Sequence, residues 1–336
     1  MRAMLWTPDA EAADASVTCS LCAHVCHIKE GAHGRCGVRV NRHGELITLV
    51  GDVVTSVALD PVEKKPLYHF LPGTRTFSVG SAGCNFRCRF CQNHQIAHVG
   101  PHSTLAGRRT TPDTLARMAA QQAPSMAFTY NEPTVFFEQI YETAGLAQAR
   151  GLKVILVSNG FMGADLLQSL HRRVNATNID LKAFSDDFYQ KFCGGRLQPV
   201  LDNLKTIKKL GWWLEVTTLV IPGCNDSPDE LRALARFIRD ELGADTPWHL
   251  SGFHGAAMMA SHPATPAFQL EDLWRMGREE GLNYVYIGNV QSPVGASTLC
   301  PSCGAVVIER RGYRTRAGKN PGVCPSCKTV IPGVWQ

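Results

Sequence analysis

Short apolar runs rich in β-branched residues alternate with amphipathic helical patterns between about residue 76 and residue 290. This alternation is typical of repeated β/α units that build a parallel sheet. Six strands are predicted, at residues 76–83, 125–131, 153–159, 176–182, 213–221 and 247–254. A seventh run, 284–289, follows the last predicted helix, 271–280. The pattern predicts an α/β fold of the partial (β/α)6 TIM-like barrel type rather than a closed eight-stranded barrel.

The predicted helices carry recognisable start signals. Residues 111–122 open with Thr-Pro-Asp, which supplies a cap and a first turn. Residues 228–242 place Leu231, Leu234 and Ile238 on one stripe, with acids in the first turn. Both segments are therefore predicted to pack one apolar face on the sheet.

The segments that flank the barrel have a different pattern. Alternating β-branched residues in 37–75 predict small hairpins, and 293–297 is predicted to be a linker. The chain is accordingly predicted to have three parts. These are an N-terminal cysteine-rich β module (1–72), the barrel (73–292) and a C-terminal zinc ribbon (293–336).

Composition narrows the class of protein. The chain is 44% apolar and 19% charged, which is typical of a soluble globular protein, and its net charge of +5 is scattered rather than gathered in one block. No run is long enough for a secretory or membrane-spanning segment, so a cytoplasmic protein without a membrane partner is predicted. In that reducing compartment, thirteen cysteines are better explained by metal than by disulfides.

The cysteines form three groups by spacing. The N-terminal quartet is Cys19, Cys22, Cys26 and Cys36; the triplet is Cys84, Cys88 and Cys91; the C-terminal quartet is Cys300, Cys303, Cys324 and Cys327. Two CPSC turns in the C-terminal quartet predict a closed zinc site, and an unmetallated hairpin is the alternative. The N-terminal quartet predicts either zinc or a second iron–sulfur cluster. Cys193 and Cys224 stand alone.

The triplet directly follows the first predicted strand, at the face where α/β barrels place their chemistry. Three thiolates can hold three irons of a [4Fe–4S] cluster and leave the fourth iron open. A small ligand such as S-adenosylmethionine (SAM) can occupy the open iron, and electron transfer can then release a 5′-deoxyadenosyl radical. The alternative is a zinc site completed by a histidine such as His94.

The sequence resembles a known family at these motifs. The spacing Cys-x3-Cys-x-aromatic-Cys, with Phe90 as the aromatic residue, is similar to the radical SAM signature. Together with DPVEKKPLYHFLPG (60–73) and TYNEPT (129–134), it resembles the AmmeMemoRadiSam radical SAM proteins, relatives of the pyruvate formate-lyase activating enzymes. The resemblance implies hydrogen abstraction from an unidentified substrate and an electron donor such as flavodoxin or ferredoxin. It also implies AMMECR-domain and Memo-domain partners or, alternatively, activation of a glycyl-radical enzyme.

Polar residues at successive strand ends are the predicted cofactor ligands. By resemblance, Glu132 would meet the methionyl amino group and Ser158 and Asn159 the ribose, while Lys182 would bind the SAM carboxylate. The complete predicted cofactor set is Phe90, Asn131, Glu132, Ser158, Asn159, Asp180 and Lys182. An Asn-Gly exit turn, an Asp-x-Lys ion pair and a helix start at Glu132 are the structural alternatives for these positions.

The substrate-facing residues are less well defined by the sequence. Thr217, His249, Cys224 and His254 are weak catalytic candidates, because a lone histidine or thiol is more often structural. A basic loop, 309–319, keeps a nucleic-acid contact open, although a solvated hairpin face is favoured. A non-enzymatic multi-zinc scaffold that binds nucleic acid or protein is the competing hypothesis.

Overall fold

A computed structural model describes residues 1–9, 15–100 and 103–336. The strands are β1 (Trp6–Pro8), β2 (Val17–Cys19), β3 (Cys26–Ile28), β4 (Arg39–Arg42), β5 (Glu45–Thr48), β6 (Val53–Val54), β7 (Ser56–Pro61), β8 (Arg75–Gly80), β9 (Arg108–Arg109), β10 (Ser125–Phe128), β11 (Lys153–Ser158), β12 (Ala176–Asp180), β13 (Trp213–Val220), β14 (Trp248–Gly252), β15 (Val285–Gly288), β16 (Thr298–Leu299), β17 (Val306–Arg311) and β18 (Arg314–Ala317). The α-helices are α1 (His94–Ala97), α2 (Pro112–Ala120), α3 (Phe137–Gln148), α4 (Ala164–Leu170), α5 (Asp186–Phe188), α6 (Gln198–Lys209), α7 (Pro228–Phe237) and α8 (Ala267–Glu279).

An eight-stranded sheet with the order β15-β14-β13-β12-β11-β10-β8-β7 forms the centre of the molecule. Each of the six predicted strands is present, as β8, β10, β11, β12, β13 and β14. Consecutive members of this set pair in parallel. The seventh predicted strand is also confirmed, because β15 pairs in parallel with β14. The predicted α/β class with a mostly parallel sheet is therefore confirmed, with seven parallel strands rather than six.

The region predicted to form small hairpins has two outcomes. β4 and β5 do form a hairpin, and its two turn residues, His43 and Gly44, both have positive φ, as a two-residue hairpin turn requires. β7 instead runs antiparallel to β8 over six residue pairs. The strand thus pairs across the predicted boundary at residue 72 and covers one edge of the parallel sheet.

Helix ends follow the predicted signals. The hydroxyl of Thr111 accepts a hydrogen bond from the Thr114 amide and caps α2, whose first residue is a proline. The stripe predicted along residues 228–242 is confirmed, because Leu231 and Leu234 on α7 and Ile238 in the π-helical turn that follows are all fully buried. These helices cover the outer face of the sheet and leave its concave face to other elements.

A ten-residue segment, residues 62–71, fills the lower part of the concave face, and we call it the plug. Its apolar side chains are buried against residues from three central strands: Val62, Leu67, Phe70 and Leu71 pack with Ala127, Ile155 and Ala176. Asn178 donates a side-chain hydrogen bond to the Pro66 carbonyl. The plug corresponds to most of the DPVEKKPLYHFLPG motif, whose irregular pattern gave no sign that it would be buried.

The C-terminal part of the chain fixes the plug from the other side. The Val334 amide donates to the His69 carbonyl and the Leu71 amide donates to the Val334 carbonyl. Arg310, on β17, donates to the Tyr68 carbonyl and to the Thr298 hydroxyl. The plug is therefore held between the sheet and the C-terminal module.

Among the described residues, no helix is both long and apolar enough to span a bilayer.

Candidate functional site

A cavity of about 1580 Å³ lies over the carboxyl ends of the parallel strands. The sequence-predicted residues that line it are Cys84, Cys88, Phe90, Cys91, Asn131, Glu132, Ser158, Asn159, Asp180, Lys182 and Thr217. The structure thus brings together the triplet and every predicted cofactor residue. Plug residues and the β17–β18 hairpin complete the wall.

The loop that carries the triplet is held by the turn after α5. The amides of Arg87 and Arg89 donate to the carbonyls of Cys193 and Phe192, at 2.8 and 2.9 Å. Those carbonyls end a π-helical turn, Tyr189–Cys193, a feature that is frequent at functional sites. Cys193 is fully buried, and its thiol lowers the pKa of the Cys88 thiol.

The spacing of the three triplet sulfurs differs from the spacing around a single metal ion. Around one tetrahedral zinc ion, thiolate sulfurs lie about 3.7 Å apart. Within the described part of the chain, the C-terminal quartet is the only group with three or more ligand atoms within 4.8 Å of one another. The triplet sulfurs are not all within 4.8 Å of one another, a spread that a larger multi-iron cluster can accommodate, and the assignment of a cluster or of the zinc alternative with His94 stays a prediction.

Burial keeps two of the triplet thiols, those of Cys84 and Cys91, protonated in the metal-free chain, whereas the Cys193 thiol lowers the pKa of Cys88. Burial raises the pKa of the Cys84 thiol well above its ordinary value, and the Glu132 carboxylate adds to the increase. Burial likewise raises the pKa of Cys91 to about 11. Because metal binding requires thiolates, loading the site must release these protons.

Glu132 links two strand ends. Its Oε1 accepts hydrogen bonds from the amide and hydroxyl of Thr134 and from the Ser158 hydroxyl, and its Oε2 accepts one from the Asn159 amide at 2.9 Å. Burial raises the pKa of Glu132 above its ordinary value despite these donors. Glu132 also begins a helical turn, as the structural alternative for this position predicts, because its side chain caps the 3-10 turn Pro133–Phe136. One acceptor position on Oε2 still remains for a ligand.

Two asparagines join the triplet loop to the neighbouring strand ends. Asn131 accepts a hydrogen bond from the Ser81 amide and donates one to the Gly83 carbonyl. Asn159 donates to the side chain of Asn85 at 2.7 Å, and its Nδ2 lies 3.8 Å from Cys84 Sγ. Both side chains therefore position the loop as well as lining the cavity.

Asp180 and Lys182 form an ion pair at 2.9 Å, as their spacing predicts. Burial alone would lower the pKa of the Lys182 ammonium group, but Asp180 and the thiols of Cys88 and Cys193 raise it well above its ordinary value. Lys182 Nζ also lies 5.9 Å from the centre of the Phe90 ring. A buried ammonium group thus faces the cavity beside the triplet.

Of the four weak catalytic candidates, Thr217 and His249 line the cavity and the other two do not. Thr217 lines the cavity, and its hydroxyl is buried without a partner. Cys224 and His254 lie outside the cavity wall: Cys224 Sγ is 3.9 Å from His262 Nε2, and His254 is exposed with its Nε2 2.8 Å from the Asn289 carbonyl. Both follow the ends of their strands, where alternation no longer determines which way a side chain points.

Several polar residues in the cavity wall or buried behind it were not predicted. Glu215 is fully buried on β13 beside His249, and Lys65 pairs with Asp60 at 2.6 Å under the ring of Tyr130. One sequence signal was available, because an acid within the apolar strand WLEVTTLVI must have a buried partner.

The two cysteine quartets differ in how closely they gather. In the C-terminal quartet the Cys300 and Cys327 sulfurs are 3.5 Å apart, and those of Cys303 and Cys324 are 3.6 Å apart. These distances suit one tetrahedral metal ion. The basic loop 309–319 is mostly exposed, and a nucleic-acid contact there stays a prediction.

The N-terminal quartet surrounds the β2–β3 pair. Cys19 faces Cys26 across these strands, and burial raises the pKa of Cys36 to about 11. Burial also raises the pKa of the Cys22 thiol well above its ordinary value, and the thiol of Cys36 adds to the increase. The four ligand atoms are not within 4.8 Å of one another, so a metal here stays a prediction.

Comparisons with known proteins agree with this geometry. Residues 78–238 match the family model of the radical SAM superfamily. An uncharacterized protein of Methanocaldococcus jannaschii is 43% identical over 88% of both chains. A pyruvate formate-lyase-activating enzyme of Clostridium pasteurianum is 21% identical over 62% of this chain and 87% of its own.

The fold has a solved counterpart. A radical SAM methyltransferase from Sphaerobacter thermophilus superposes with a TM-score of 0.50 at 17% identity, over 70% of this chain and 71% of its own. The family match covers the triplet and the strands β10 to β13. This chain therefore belongs to the radical SAM superfamily and is an enzyme.

Proposed function

We propose that this enzyme holds a [4Fe–4S] cluster on Cys84, Cys88 and Cys91 and binds SAM beside it to start radical chemistry on a second substrate. The observation that carries the proposal is the single cavity lined by the three thiols and all the predicted cofactor residues. With both cofactors bound, one-electron cleavage of the sulfonium carbon–sulfur bond supplies a 5′-deoxyadenosyl radical that abstracts hydrogen.

The residues around the triplet have complementary charges for SAM. Lys182 is cationic and buried, which suits the carboxylate of the methionyl group. Glu132 Oε2 keeps one acceptor position, which suits the ammonium group. Ser158 and Asn159 stand at the next strand end for the ribose, and Phe90 and Asn131 complete the wall.

The partners and further metals are also proposals. An electron donor such as flavodoxin or ferredoxin would reduce the cluster. Zinc is proposed for the C-terminal quartet, and zinc or a second iron–sulfur cluster for the N-terminal one. The predicted AMMECR-domain and Memo-domain partners gain no support from the relatives described above, and membership of an enzyme superfamily argues against the multi-zinc scaffold.

Activation of a glycyl-radical enzyme stays the second candidate, because relatives of this chain include activating enzymes for pyruvate formate-lyase and benzylsuccinate synthase. A small-molecule substrate is favoured by the plug and the β17–β18 hairpin, which close the concave side of the cavity. A protein segment would have to enter past both.

The test is anaerobic reconstitution with iron and sulfide followed by reduction with dithionite in the presence of SAM. We expect bound iron, the electron paramagnetic resonance signal of a reduced cluster, and 5′-deoxyadenosine detected by mass spectrometry. Cys88→Ala should abolish 5′-deoxyadenosine formation, whereas Cys224→Ala, outside the cavity, should leave it unchanged. A colourless, iron-free protein, or a Cys88→Ala variant as active as wild type, would refute the proposal.

A further inference from the structure

The floor of the cavity contains a second polar group of residues below the proposed cofactor site. Thr217 and His249 face each other in register on β13 and β14, and Asp180 on β12 is the next residue along the same row. In a parallel sheet neighbouring strands are about 4.8 Å apart. Thr217 and His249 are 6% and 5% exposed, and both line the cavity. The pair therefore borders the proposed cofactor site directly.

Glu215 fixes the orientation of the His249 ring. It is fully buried, and its carboxylate accepts hydrogen bonds from the amides of Tyr68 and His69, from the Trp213 indole and from His249 Nε2, the last at 2.6 Å. Burial alone would raise the pKa of Glu215, but His249 and the amides hold it below its ordinary value. Since the carboxylate is ionised, Nε2 carries the proton that His249 donates to it.

The opposite nitrogen of the ring has no protein partner. Among the described residues, none hydrogen-bonds to His249 Nδ1, and the ring is held between Tyr286, stacked at 5.2 Å, and Tyr68, edge-on at 4.7 Å. The Thr217 hydroxyl is buried and likewise unpartnered. Buried polar groups are nearly always hydrogen-bonded, so the unsatisfied Thr217 hydroxyl, next to a ring nitrogen without a partner among the described residues, indicates a ligand at this part of the cavity wall.

The cavity has room for this ligand in addition to a cofactor. Pockets for one small molecule typically measure about 300–1,000 Å³. The volume of about 1580 Å³ exceeds that range. The cavity can therefore hold a second small molecule beside Thr217 and His249 while SAM lies beside the triplet.

We propose that Thr217 and His249 form the substrate subsite, that the substrate is a small molecule with a hydroxyl group, and that His249 Nδ1 accepts the proton of that hydroxyl. In this step the O–H bond breaks, its electron pair stays on oxygen and an N–H bond forms on Nδ1. The resulting imidazolium charge is balanced by Glu215, which acts as a positioning residue. The charged and titratable groups around the pair are Asp180, Glu215, Tyr68, His69 and Tyr286, and Arg310 lies against the rings of Tyr68 and Tyr286.

The activity test rests on the proposed function and is designed to separate the two proposals. Anaerobic enzyme is given SAM, dithionite and a size-filtered cell extract, and 5′-deoxyadenosine is measured with and without the extract. We expect His249→Gln to reduce the extract-dependent increase about a hundredfold relative to wild type. His254→Gln, an exposed control outside the cavity, should retain the full increase. A His249→Gln variant with the full increase would overturn the proposal.

The Thr217→Val variant tests whether the Thr217 hydroxyl binds a ligand or only stabilises the fold. Removing a buried hydroxyl that has no protein partner should leave thermal stability unchanged or higher, while the extract-dependent increase falls about tenfold. Lower stability with an unchanged increase would mean that the hydroxyl is structural, which contradicts the proposal.

A measurement on the metal-free full-length chain needs no substrate. In the 15N spectrum of the histidine-labelled protein, we expect an unprotonated Nδ1 resonance that is missing from His249→Gln and shifts with trifluoroethanol as a hydroxyl probe. A protonated Nδ1 at neutral pH, or no response to the probe, would refute the subsite. If wild type fails to cleave SAM, the proposed function fails, but this spectrum still tests the subsite.

Discussion

Side chains at strand ends were predictable where backbone geometry alone decides their position. Asp180 and Lys182 share a face because they are two apart on an extended chain, and the sheet brings them beside the triplet. Two of the four hydrogen bonds to Glu132 were not predictable, since their donors, Ser158 and Asn159, lie at the end of another strand. Pairing between distant positions depends on packing, which alternation along one strand does not encode.

One residue-scale prediction concerns Gly195, which lies against the triplet loop. A Cβ atom at this position would lie 2.2 Å from the ring of Phe86, which is itself fully buried. Gly195→Ala should therefore displace the loop at a cost of about 1–3 kcal/mol. We expect reduced iron content after reconstitution, measured by iron analysis and by the absorption of the cluster.

The matched control is Gly318→Ala. Gly318 has no atom within 4 Å of the added Cβ, so this variant should bind iron as wild type does. Equal iron content in the two variants would show that the packing of Gly195 against Phe86 does not shape the cluster loop.

At the scale of elements, the strands with regular apolar runs were predictable and the plug was not. The plug has no period, because it is irregular beyond the short 3-10 turn Val62–Lys64, and side chains such as Asn178 and Glu215 hydrogen-bond to its backbone. β7 was assigned to a hairpin for a related reason: a strand that pairs at a sheet edge has the same alternation as one that pairs locally.

A second prediction concerns the C-terminal quartet. Cys303→Ser should weaken metal binding in the module, because a structural site needs all four thiolates. We expect loss of bound zinc and faster hydrogen exchange in β16–β18. Because Arg310 on β17 donates to the Tyr68 carbonyl, the faster exchange should extend into the plug.

Cys224→Ser is the control for this experiment, since Cys224 is distant from any cysteine group in the sequence. Its zinc content and exchange rates should equal those of wild type. Unchanged exchange in residues 62–71 of the Cys303→Ser variant would mean that the module does not stabilise the plug.

At the scale of the whole molecule, buried polar contacts attach the N-terminal segment to helix α3 of the barrel. Arg39 pairs with Glu138 of α3, and the Met4 amide donates to the same carboxylate at 2.7 Å. Removing one partner of such a pair typically costs about 3–5 kcal/mol. No spacing in the sequence connects residue 39 with residue 138, so the attachment of the N-terminal part could not be predicted.

A third prediction links His69 to acid stability. Burial lowers the pKa of His69 to about 4, while its ring nitrogens contact the Pro332 carbonyl and the Tyr286 hydroxyl. An unfolded histidine titrates near pH 6.5, so the unfolded chain binds the extra proton between about pH 6.5 and 4. Stability should therefore fall across this window as the pH is lowered, by about 3 kcal/mol from this group.

Denaturant unfolding at several pH values checks this prediction. His69→Gln should be less stable at neutral pH but should lose less stability on acidification than wild type does. His254→Gln, an exposed histidine, should reproduce the slope of wild type. Parallel curves for wild type and His69→Gln would contradict the assignment.

The pairing of the plug with the C-terminal tail has a consequence for the order in which the molecule is made. The Pro332 carbonyl that contacts His69 is synthesised 263 residues after it. At about 5–20 residues per second, the ribosome needs on the order of ten to fifty seconds for that interval. During translation the triplet and the strands around it emerge first. The plug can pair with the C-terminal tail only after that tail has left the exit tunnel.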